Sequence, residues 1–182
     1  MQEIPTFPNP PQLDPSQWFA LDDFRQLAGR LPDHGGLISF VTYRALTAPD
    51  LLALLLGCGA CDRALLCSFN VSEEAAGFLD GMVTEGRIDL LDVIVSNSMP
   101  RLQAGGALPV LEAMTERLPN RVRLRLADVH AKVYCLAMAS GDNWVVETSA
   151  NLARNSRIEL FTIWNSAERL FWHAEWTAAL VR

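Results

Sequence analysis

A histidine and a lysine stand two residues apart in His130-Ala131-Lys132, and Lys132 is the only lysine of the chain. The chain has 15 lysines and arginines in all, and every one except Lys132 is an arginine. Residues i and i+2 of a strand project to the same face, so this spacing predicts an imidazole and an ammonium side by side. A nucleophile beside a fixed positive charge suits attack on a phosphate diester, because negative charge must be held while the phosphorus is substituted.

Three polar residues further along the chain could complete such a site. Ser149 and Asn151 follow a predicted strand, where short polar side chains can hydrogen-bond phosphoryl oxygens. Taken alone, Ser149 could equally cap a turn or a helix. Glu159 could accept a proton from the imidazole of His130, which would fix its tautomer and raise its basicity.

Basic and amide side chains near these residues could bind the rest of a substrate. We expect Asn155, Arg154 and Arg157 to line the mouth of the site, and Arg121 and Arg123 to lie nearby. Since arginines contact phosphates through charge, binding should weaken steeply as the salt concentration rises.

The His-x-Lys motif, Ser-x-Asn, and the later Asn155 and Glu159 together resemble the signature of the phospholipase D superfamily. The usual pattern is His-x-Lys, four residues, Asp, six residues, then Gly-Ser-x-Asn. Here Ala137 stands at the position of the Asp, and Asp142 lies in the turn that follows. Thr148 replaces the Gly, and about four extra residues lengthen the hairpin between the two halves.

Two segments resemble one branch of that superfamily, the small bacterial endonucleases with a single motif per chain. They are Val146 to Asn151 and Ile163-Trp164-Asn165, and the motif as a whole covers roughly residues 121 to 165. The resemblance implies a phospholipase D-like fold and hydrolysis of a phosphate diester without metal or other cofactor.

The resemblance also implies a reaction in two steps. His130 attacks phosphorus to give a phosphohistidine, a second histidine protonates the leaving oxygen, and water then hydrolyses the intermediate. Lys132 and Asn151 hold the phosphoryl oxygens. His34 and His173 are not followed by a lysine two residues on, so the chain offers one suitable histidine. We therefore expect a twofold homodimer whose active site lies at the interface.

The leading hypothesis is a phosphodiesterase, specifically a nuclease with nucleic acid as its substrate. One alternative is a protein of the same fold that binds nucleic acid or protein without turnover, which Ala137 and Thr148 at signature positions would favour. The other is a phospholipid-cleaving enzyme. The sequence lacks an amphipathic basic helix or a second motif, which argues against that last alternative.

The distribution of charge weakens the objection that an acidic protein does not bind nucleic acid. The net charge of the 182 residues is −6. Residues 1–120 hold 7 arginines against 15 acidic residues, whereas residues 121–182 hold 7 arginines and Lys132 against 6 acidic residues. The part that carries the motif is therefore mildly positive, which is compatible with a local phosphate-binding groove.

The apolar pattern predicts strands alternating with helices, and so an α/β fold in which a mixed β-sheet has helices on both faces. We expect a single domain over residues 17–182, preceded by a proline-rich arm over 1–16. That arm could be disordered or could lie across another subunit. The predicted helices are 18–31, 50–56, 72–85, 107–118 and 168–181, and the predicted strands are 37–43, 64–69, 90–96, 121–126, 132–138, 144–148 and 157–164.

Two further expectations concern the cysteines and the cellular location. Cys58 and Cys61 have the spacing of a metal or redox pair, but no second pair accompanies them, so we interpret them as small buried thiols. Residues 1–5 lack the charged and apolar regions of a signal peptide, and the longest apolar run, Leu51 to Leu56, is too short to cross a bilayer. We therefore expect a cytoplasmic protein with no membrane partner.

Overall fold

The computed structural model describes residues 18–21, 26–27, 29–43, 45–98, 106–154 and 157–180. The predicted arm over 1–16 and the candidate site residue Asn155 lie outside these ranges. The strands are β1 (Trp18–Leu21), β2 (Leu37–Tyr43), β3 (Cys61–Ser68), β4 (Ile88–Ser96), β5 (Val122–Ala127), β6 (Val133–Met138), β7 (Asn143–Thr148) and β8 (Ile158–Asn165). The helices are α1 (Ala48–Gly57), α2 (Glu73–Thr84), α3 (Ala107–Arg117) and α4 (Ala167–Ala179).

The eight strands of the described ranges form one mixed sheet in the order β1-β2-β8-β7-β6-β3-β4-β5. β3, β4 and β5 run parallel to one another. From β3 through β6, β7 and β8 to β2, each neighbouring pair is antiparallel, and β1 is again parallel to β2. The carboxyl ends of β2, β3 and β7 therefore meet the amino ends of β6 and β8 along one border of the sheet, which we call the site edge.

Helices cover both faces of the sheet, as predicted. The larger core lies beneath α1, α2 and α3, where the rings of Phe40 and Phe161 stack 5.4 Å apart. The smaller core lies beneath α4 and includes Cys135 and Val145. Across the ranges that the structure describes, no helix is both long and apolar enough to cross a membrane.

Short polar residues begin three of the helices. Thr47 and Asp50 form a capping box at the start of α1, with the N–H of Asp50 donating to Thr47 Oγ1 at 3.3 Å and the N–H of Thr47 donating to Asp50 Oδ2 at 3.1 Å. Ser72 and Ser166 begin α2 and α4, and each hydroxyl accepts a backbone N–H from three residues on at 3.2 Å. These bonds satisfy donors that the first turn of a helix leaves free.

The hairpin between β6 and β7 turns where the sequence predicts it. Gly141 has a φ of 94°, a left-handed conformation that glycine adopts without strain. The N–H of Met138 donates to the carbonyl of Asp142 at 2.9 Å and closes the turn. β7 consequently returns to the site edge beside β6.

The helix predicted over residues 18–31 is wrong in its first part. Trp18–Leu21 is a strand that pairs in parallel with β2, with Trp18 opposite Ser39 and Leu21 opposite Thr42. A short apolar run fits a helix or a strand equally well by its spacing. Pairing with β2 decides the outcome here, since strand preference depends strongly on neighbouring strands.

A buried polar cluster attaches α4 to the sheet. Oε1 of Glu147 accepts hydrogen bonds from Arg169 Nε and His173 Nε2, both at 2.7 Å, and Oε2 accepts from Trp164 Nε1 at 3.3 Å. Trp176 Nε1 donates to His173 Nδ1 at 2.9 Å, so His173 carries its proton on Nε2. Burial raises the pKa of Glu147, but the hydrogen bond from His173 and the charge of Arg169 outweigh it and hold that pKa below the ordinary 4.5.

Replacing Glu147 with alanine should lower the free energy of unfolding by about 3 kcal/mol at neutral pH, because Arg169 and His173 would stay buried without their acceptor. A carboxylate with a lowered pKa contributes its stability above the ordinary pKa and loses it as the pH falls through the folded-state value. The difference between Glu147→Ala and wild type should therefore shrink in acid, below pH 4.5. Urea unfolding at several pH values measures it.

The matched control for that experiment is Glu175→Ala, which removes an exposed carboxylate from the same helix. Its free energy of unfolding should stay within about 0.5 kcal/mol of wild type. Equal effects of the two substitutions at neutral pH would contradict the role given to Glu147.

Candidate active site

A cleft of about 840 Å³ opens at the site edge, where the ends of β3, β6, β7 and β8 meet. Its lining includes His130, Lys132, Ser149, Asn151, Arg157 and Glu159. The predicted site residues that fall within the described ranges thus come together in one cavity. Residues far apart in sequence meet here because successive antiparallel strands return to the same border.

His130 and Lys132 lie side by side just before β6, as their spacing predicts. Lys132 Nζ is 3.1 Å from His130 Nδ1 and donates to the backbone oxygen of His130 at 3.0 Å. An ammonium has only protons to donate, so Nδ1 accepts and the neutral ring carries its proton on Nε2. Burial lowers the pKa of Lys132, and the negative charge of Glu159 partly opposes this shift.

Ser149 connects the loop after β7 to the buried carboxylate of Glu159 on β8. Its hydroxyl donates to Glu159 Oε2 and accepts the backbone N–H of Leu160 at 3.0 Å. The predicted hydrogen bond from the imidazole of His130 to Glu159 stays a prediction, and Ser149 supplies one donor to Oε2. Ser149 therefore orients the carboxylate beside the cleft, and a direct bond from its hydroxyl to a ligand would require that hydroxyl to turn away from Glu159.

Thr148 shapes the same loop. Its hydroxyl donates to the carbonyl of Leu160 at 2.8 Å and accepts the N–H of Ala150 at 3.0 Å. The N–H of Thr148 also bonds the carbonyl of Lys132 at 3.2 Å, which ties the loop to the His-x-Lys segment. A threonine at this position thus contributes hydrogen bonds that a glycine could not make.

Asn151 is held in the cleft wall by its neighbours in the chain. Buried Tyr134 donates its hydroxyl to the carbonyl of Ala150 at 2.8 Å, and the N–H of Leu152 donates to Ser68 Oγ at 3.0 Å. Oδ1 of Asn151 is buried and has no hydrogen-bond partner among the described residues. An unsatisfied buried polar atom costs about 1–3 kcal/mol, and such atoms at a cleft indicate a place for a ligand or a water.

Sequence reasoning missed Phe69 and Asn70, which line the cleft just beyond β3. The ring of Phe69 lies 4.7 Å from that of His130 between centroids, tilted by 50°, and Lys132 Nζ lies 6.0 Å from its centroid. Phe69 therefore packs against the imidazole and lies at the outer limit of a cation–π contact with the ammonium. In sequence it resembles any other apolar residue at the end of a buried strand.

Arg154 and Arg157 lie at the rim of the cleft. The guanidinium of Arg154 is 3.0 Å from Oε1 of Glu74 on α2, and both side chains are exposed. Exposed pairs of this kind exchange readily with solvent and contribute little to stability. Because both arginines line the cleft, they are near enough to contact an anionic ligand there.

The expectation that Arg121 and Arg123 lie near the site is wrong. β5 runs parallel to β3, so its first residues lie at the border opposite the site edge. Arg121 there donates to the carbonyls of Asp89 at 2.9 Å and Ile88 at 2.8 Å. The side chain of Arg121 thus holds β5 to the start of β4, away from the cleft.

Comparison with known proteins identifies the fold. No protein-family model matches the chain, and no curated protein is similar to it in sequence. Polyphosphate kinase from Porphyromonas gingivalis matches 80% of this chain with a TM-score of 0.59 and 12% identity, and phosphatidylserine synthase from Haemophilus influenzae matches 80% with a TM-score of 0.51 and 16% identity. Both have the phospholipase D architecture. This chain has the phospholipase D-like fold. It spans 26% of the length of the first neighbour and 38% of the second.

Ala137, which stands in place of the Asp of the phospholipase D signature, lies too far from the cleft to affect it. Ala137 lies on β6 on the same face as Cys135, beside α4, whereas Lys132 shares the opposite face with Tyr134. Ala137 is also about 17 Å further along the strand than Lys132, at about 3.3 Å per residue. An aspartate at 137 would not reach the cleft, so its replacement removes no group from the site.

Asp142 cannot substitute for that aspartate. It lies in the hairpin at the border opposite the site edge, where Oδ1 accepts from Asn165 Nδ2 at 2.9 Å. Ser140 also donates to it at 2.8 Å, and these two bonds lower the pKa of Asp142.

All three histidines of the chain are described, and one of them faces the cleft. The side chain of His34 is 71% exposed and lies 3.6 Å from Asp142, at the opposite border. His173 is 3% exposed within the Glu147 cluster beneath α4. Among the 182 residues, His130 is therefore the one histidine that lines the cleft.

The cysteine pair lies far from the cleft. Cys61 is buried at the start of β3, and burial raises its pKa to about 12, so it stays a thiol. Cys58, at the end of α1, is exposed, which corrects the expectation that both are buried. Across the described ranges, no three histidine, cysteine or acidic side chains come close enough to hold a metal ion.

The lowered pKa of Lys132 predicts how the cleft responds to alkali. A lysine with a lowered pKa loses its proton at a lower pH than an exposed lysine, so affinity for inorganic phosphate should fall on the alkaline side from below pH 10.5. The arginine in Lys132→Arg keeps its charge to higher pH, so the loss of phosphate affinity should begin at a higher pH in that variant. Titration of phosphate binding against pH measures both proteins, and identical alkaline limbs would rule out Lys132 as the responsible group.

Proposed function

We propose that the protein is a metal-independent phosphodiesterase, most specifically a nuclease, whose active site is shared by a homodimer. The observation that carries the proposal is the placement of His130, Lys132 and Asn151 around one cleft that contains a single histidine. The phospholipase D-like fold supports chemistry at phosphorus, since phosphoryl-transfer proteins share it. The proposal covers the substrate, the intermediate and the dimer.

In the first step, phosphoryl oxygens of the substrate take over the N–H groups of Lys132, which releases Nδ1 of His130. The unprotonated ring nitrogen attacks phosphorus and forms an N–P bond as the P–O bond to the leaving group breaks. The leaving oxygen takes a proton from His130 of the second chain. Lys132 and the side-chain amide of Asn151 offset the charge on the remaining oxygens.

In the second step, the histidine of the second chain is neutral and accepts a proton from water. The water oxygen attacks phosphorus, and the N–P bond breaks to restore the imidazole. Within one turnover, one histidine is the nucleophile, and the other acts first as the acid and then as the base. This division of roles is the reason that the site needs two chains.

The charges at the rim favour nucleic acid among phosphate diesters. Arg154 and Arg157 line the same cleft as Lys132, where they could contact further phosphates of a strand. Contacts to a repeating phosphate backbone need such a row of cations. Phe69 adds an aromatic face near His130, on which a base could stack.

We expect purified protein to cleave labelled DNA or RNA in the presence of EDTA, because His130 supplies the nucleophile and Lys132 supplies the positive charge. His130→Ala should lower the rate at least about a thousandfold, since it removes the nitrogen that attacks phosphorus. Mass spectrometry under alkaline conditions should find a phosphate adduct on the peptide that contains His130.

The matched control is His34→Ala, which removes an exposed histidine at the opposite border and should leave the rate unchanged. Cleavage that appears only with added divalent metal would contradict the mechanism. Tight, salt-sensitive binding without any cleavage would favour the alternative function, a nucleic-acid-binding protein without turnover.

Mixing chains tests whether the site is shared. Wild-type and His130→Ala chains, unfolded together in equal amounts and refolded, should form about a quarter fully wild-type dimers by random twofold pairing. If every turnover needs both histidines, the activity of the mixture should be about a quarter of that of the same total amount of wild-type protein. Retention of about half would mean that each chain works alone.

A further inference from the structure

A second cavity, of about 830 Å³, lies on the face of the sheet that α4 covers. α4 packs over β6 and β7, and the sheet continues beyond it through β3 and β4 to β5 at its edge. A helix is about 10 Å wide and strands lie about 4.8 Å apart, so one helix covers about two strands. The cavity is the space that remains beside the helix, and we call it the α4 cavity.

Apolar side chains form most of the lining of the α4 cavity. Leu65 of β3 and Cys135 of β6 lie on its floor, and Leu170, Phe171 and Ala174 lie on the wall that α4 forms. Phe171 is 63% exposed, so this wall presents a large aromatic side chain to the open space. Small-molecule sites are concave, mostly apolar and about 300–1,000 Å³ in volume. The α4 cavity has these properties.

Small side chains keep the α4 cavity open along its length. Ala137 of β6 lines it, and so do Ala167, Ala174 and Ala178 of α4. From Ala167 to Ala178 the helix rises about 17 Å, at about 1.5 Å per residue. The cavity is therefore long enough for an extended alkyl chain, and a bulky side chain in place of one of these alanines would enter the space.

Positive charge collects on the β5 side of the α4 cavity. Arg63 of β3 and Arg123 and Arg125 of β5 line it, together with one acidic residue, Asp92 of β4. Asp92 accepts hydrogen bonds from Nη2 and Nε of Arg63 at 2.7 and 3.2 Å, so these two charges offset each other. Arg123 and Arg125 are two residues apart on one strand and project to the same face. Neither has an acidic partner among the described residues, so the cavity carries two uncompensated positive charges.

Arg125 has donors to spare for a ligand. Its Nη1 donates to the carbonyl of Thr177 on α4 at 3.2 Å. Its Nε is buried and has no hydrogen-bond partner in the part of the chain that the structure describes. A guanidinium carries five N–H groups, and a carboxylate can accept two of them at once. An anion in the cavity would therefore supply acceptors that the surrounding protein does not.

The α4 cavity is separate from the cleft at the site edge. Among the described residues, none lines both. Arg63 and Ala137, which lie opposite each other on β3 and β6, are near the other border of the sheet. A ligand in the α4 cavity therefore does not compete with phosphate in the cleft for the same groups.

We propose that the α4 cavity binds an anionic amphiphile with one apolar chain, of the fatty-acid type. Its carboxylate lies at Arg123 and Arg125, and its chain lies along Leu65, Cys135 and Phe171. The two uncompensated charges select an anion, and the apolar floor and wall select a chain over a small hydrophilic ion. This binding site is additional to the proposed function and does not depend on it.

Isothermal titration calorimetry with octanoate tests the site on the full chain. Octanoate should bind with one molecule per chain. Octanol lacks the charge and acetate lacks the chain, so each should bind at least about tenfold more weakly. Octanoate should also raise the melting temperature of the protein, because it binds the folded state.

The charged side of the cavity is tested by Arg123→Gln/Arg125→Gln. This variant should bind octanoate at least about tenfold more weakly than wild type and should bind octanol as wild type does. Arg123→Gln alone, at an exposed position, should weaken octanoate binding at least about threefold. The matched control is Arg117→Gln, which removes the same charge from α3, where Arg117 pairs with Asp80. Its affinity for octanoate should equal that of wild type.

The apolar side is tested by Ala137→Phe, which places a ring in the cavity and leaves all its arginines in place. This variant should lose binding of both octanoate and octanol. The control is Ala179→Phe, at an exposed alanine of α4 that does not line the cavity, and it should bind as wild type does. Circular dichroism confirms that each variant is folded.

Several outcomes would overturn the inference. One is that octanoate does not bind, and another is that it binds equally well to wild type, Arg123→Gln/Arg125→Gln and Ala137→Phe. Equal affinities for octanoate and octanol would show that the arginines do not select an anion. Loss of octanoate affinity in Lys132→Gln, with normal binding in the variants of the α4 cavity, would place the carboxylate in the cleft.

Discussion

Strand β6 runs antiparallel to β3, from Val133 beside Cys67 to Met138 beside Cys61. This direction brings the residues just before β6 to the carboxyl end of β3, and two further reversals return the end of β7 and the start of β8 to the same border. A parallel β6 would carry its preceding residues to the opposite border, about 20 Å away. The cleft therefore depends on the three successive antiparallel pairings from β3 through β6 and β7 to β8.

The loop from Thr148 to Leu152 is held on several sides before any ligand enters. Thr148 bonds β8 and the segment before β6, the buried hydroxyl of Tyr134 holds Ala150, and Ser68 of β3 holds Leu152. Each such bond contributes about 1 kcal/mol, but together they fix the backbone on both sides of Asn151. A site fixed in this way spends little of its binding energy on ordering its own residues.

Residue spacing and the family resemblance predicted a group of residues that the structure brings together around one cleft. His130 and Lys132 contact each other although both lie before the first residue of β6, and the alternation of strands and helices indicated the layers of the fold. Arg121 was misplaced because side-chain spacing does not reveal strand direction. Phe69 was missed because an apolar residue ending a strand looks like core. The Glu147 cluster joins residues too distant in sequence for any local pattern to pair them.

The contact between Lys132 and His130 has a consequence for chemical selectivity. Without a ligand, the ammonium of Lys132 donates hydrogen bonds to Nδ1 and to the backbone carbonyl of His130. A neutral ester or amide offers no charge with which to draw the ammonium away, so the ring stays engaged. An anionic ester competes for those N–H groups through charge-assisted bonds and releases the ring as it binds. In the proposed reaction, the same pair of residues would select anionic esters over neutral ones before any covalent bond forms.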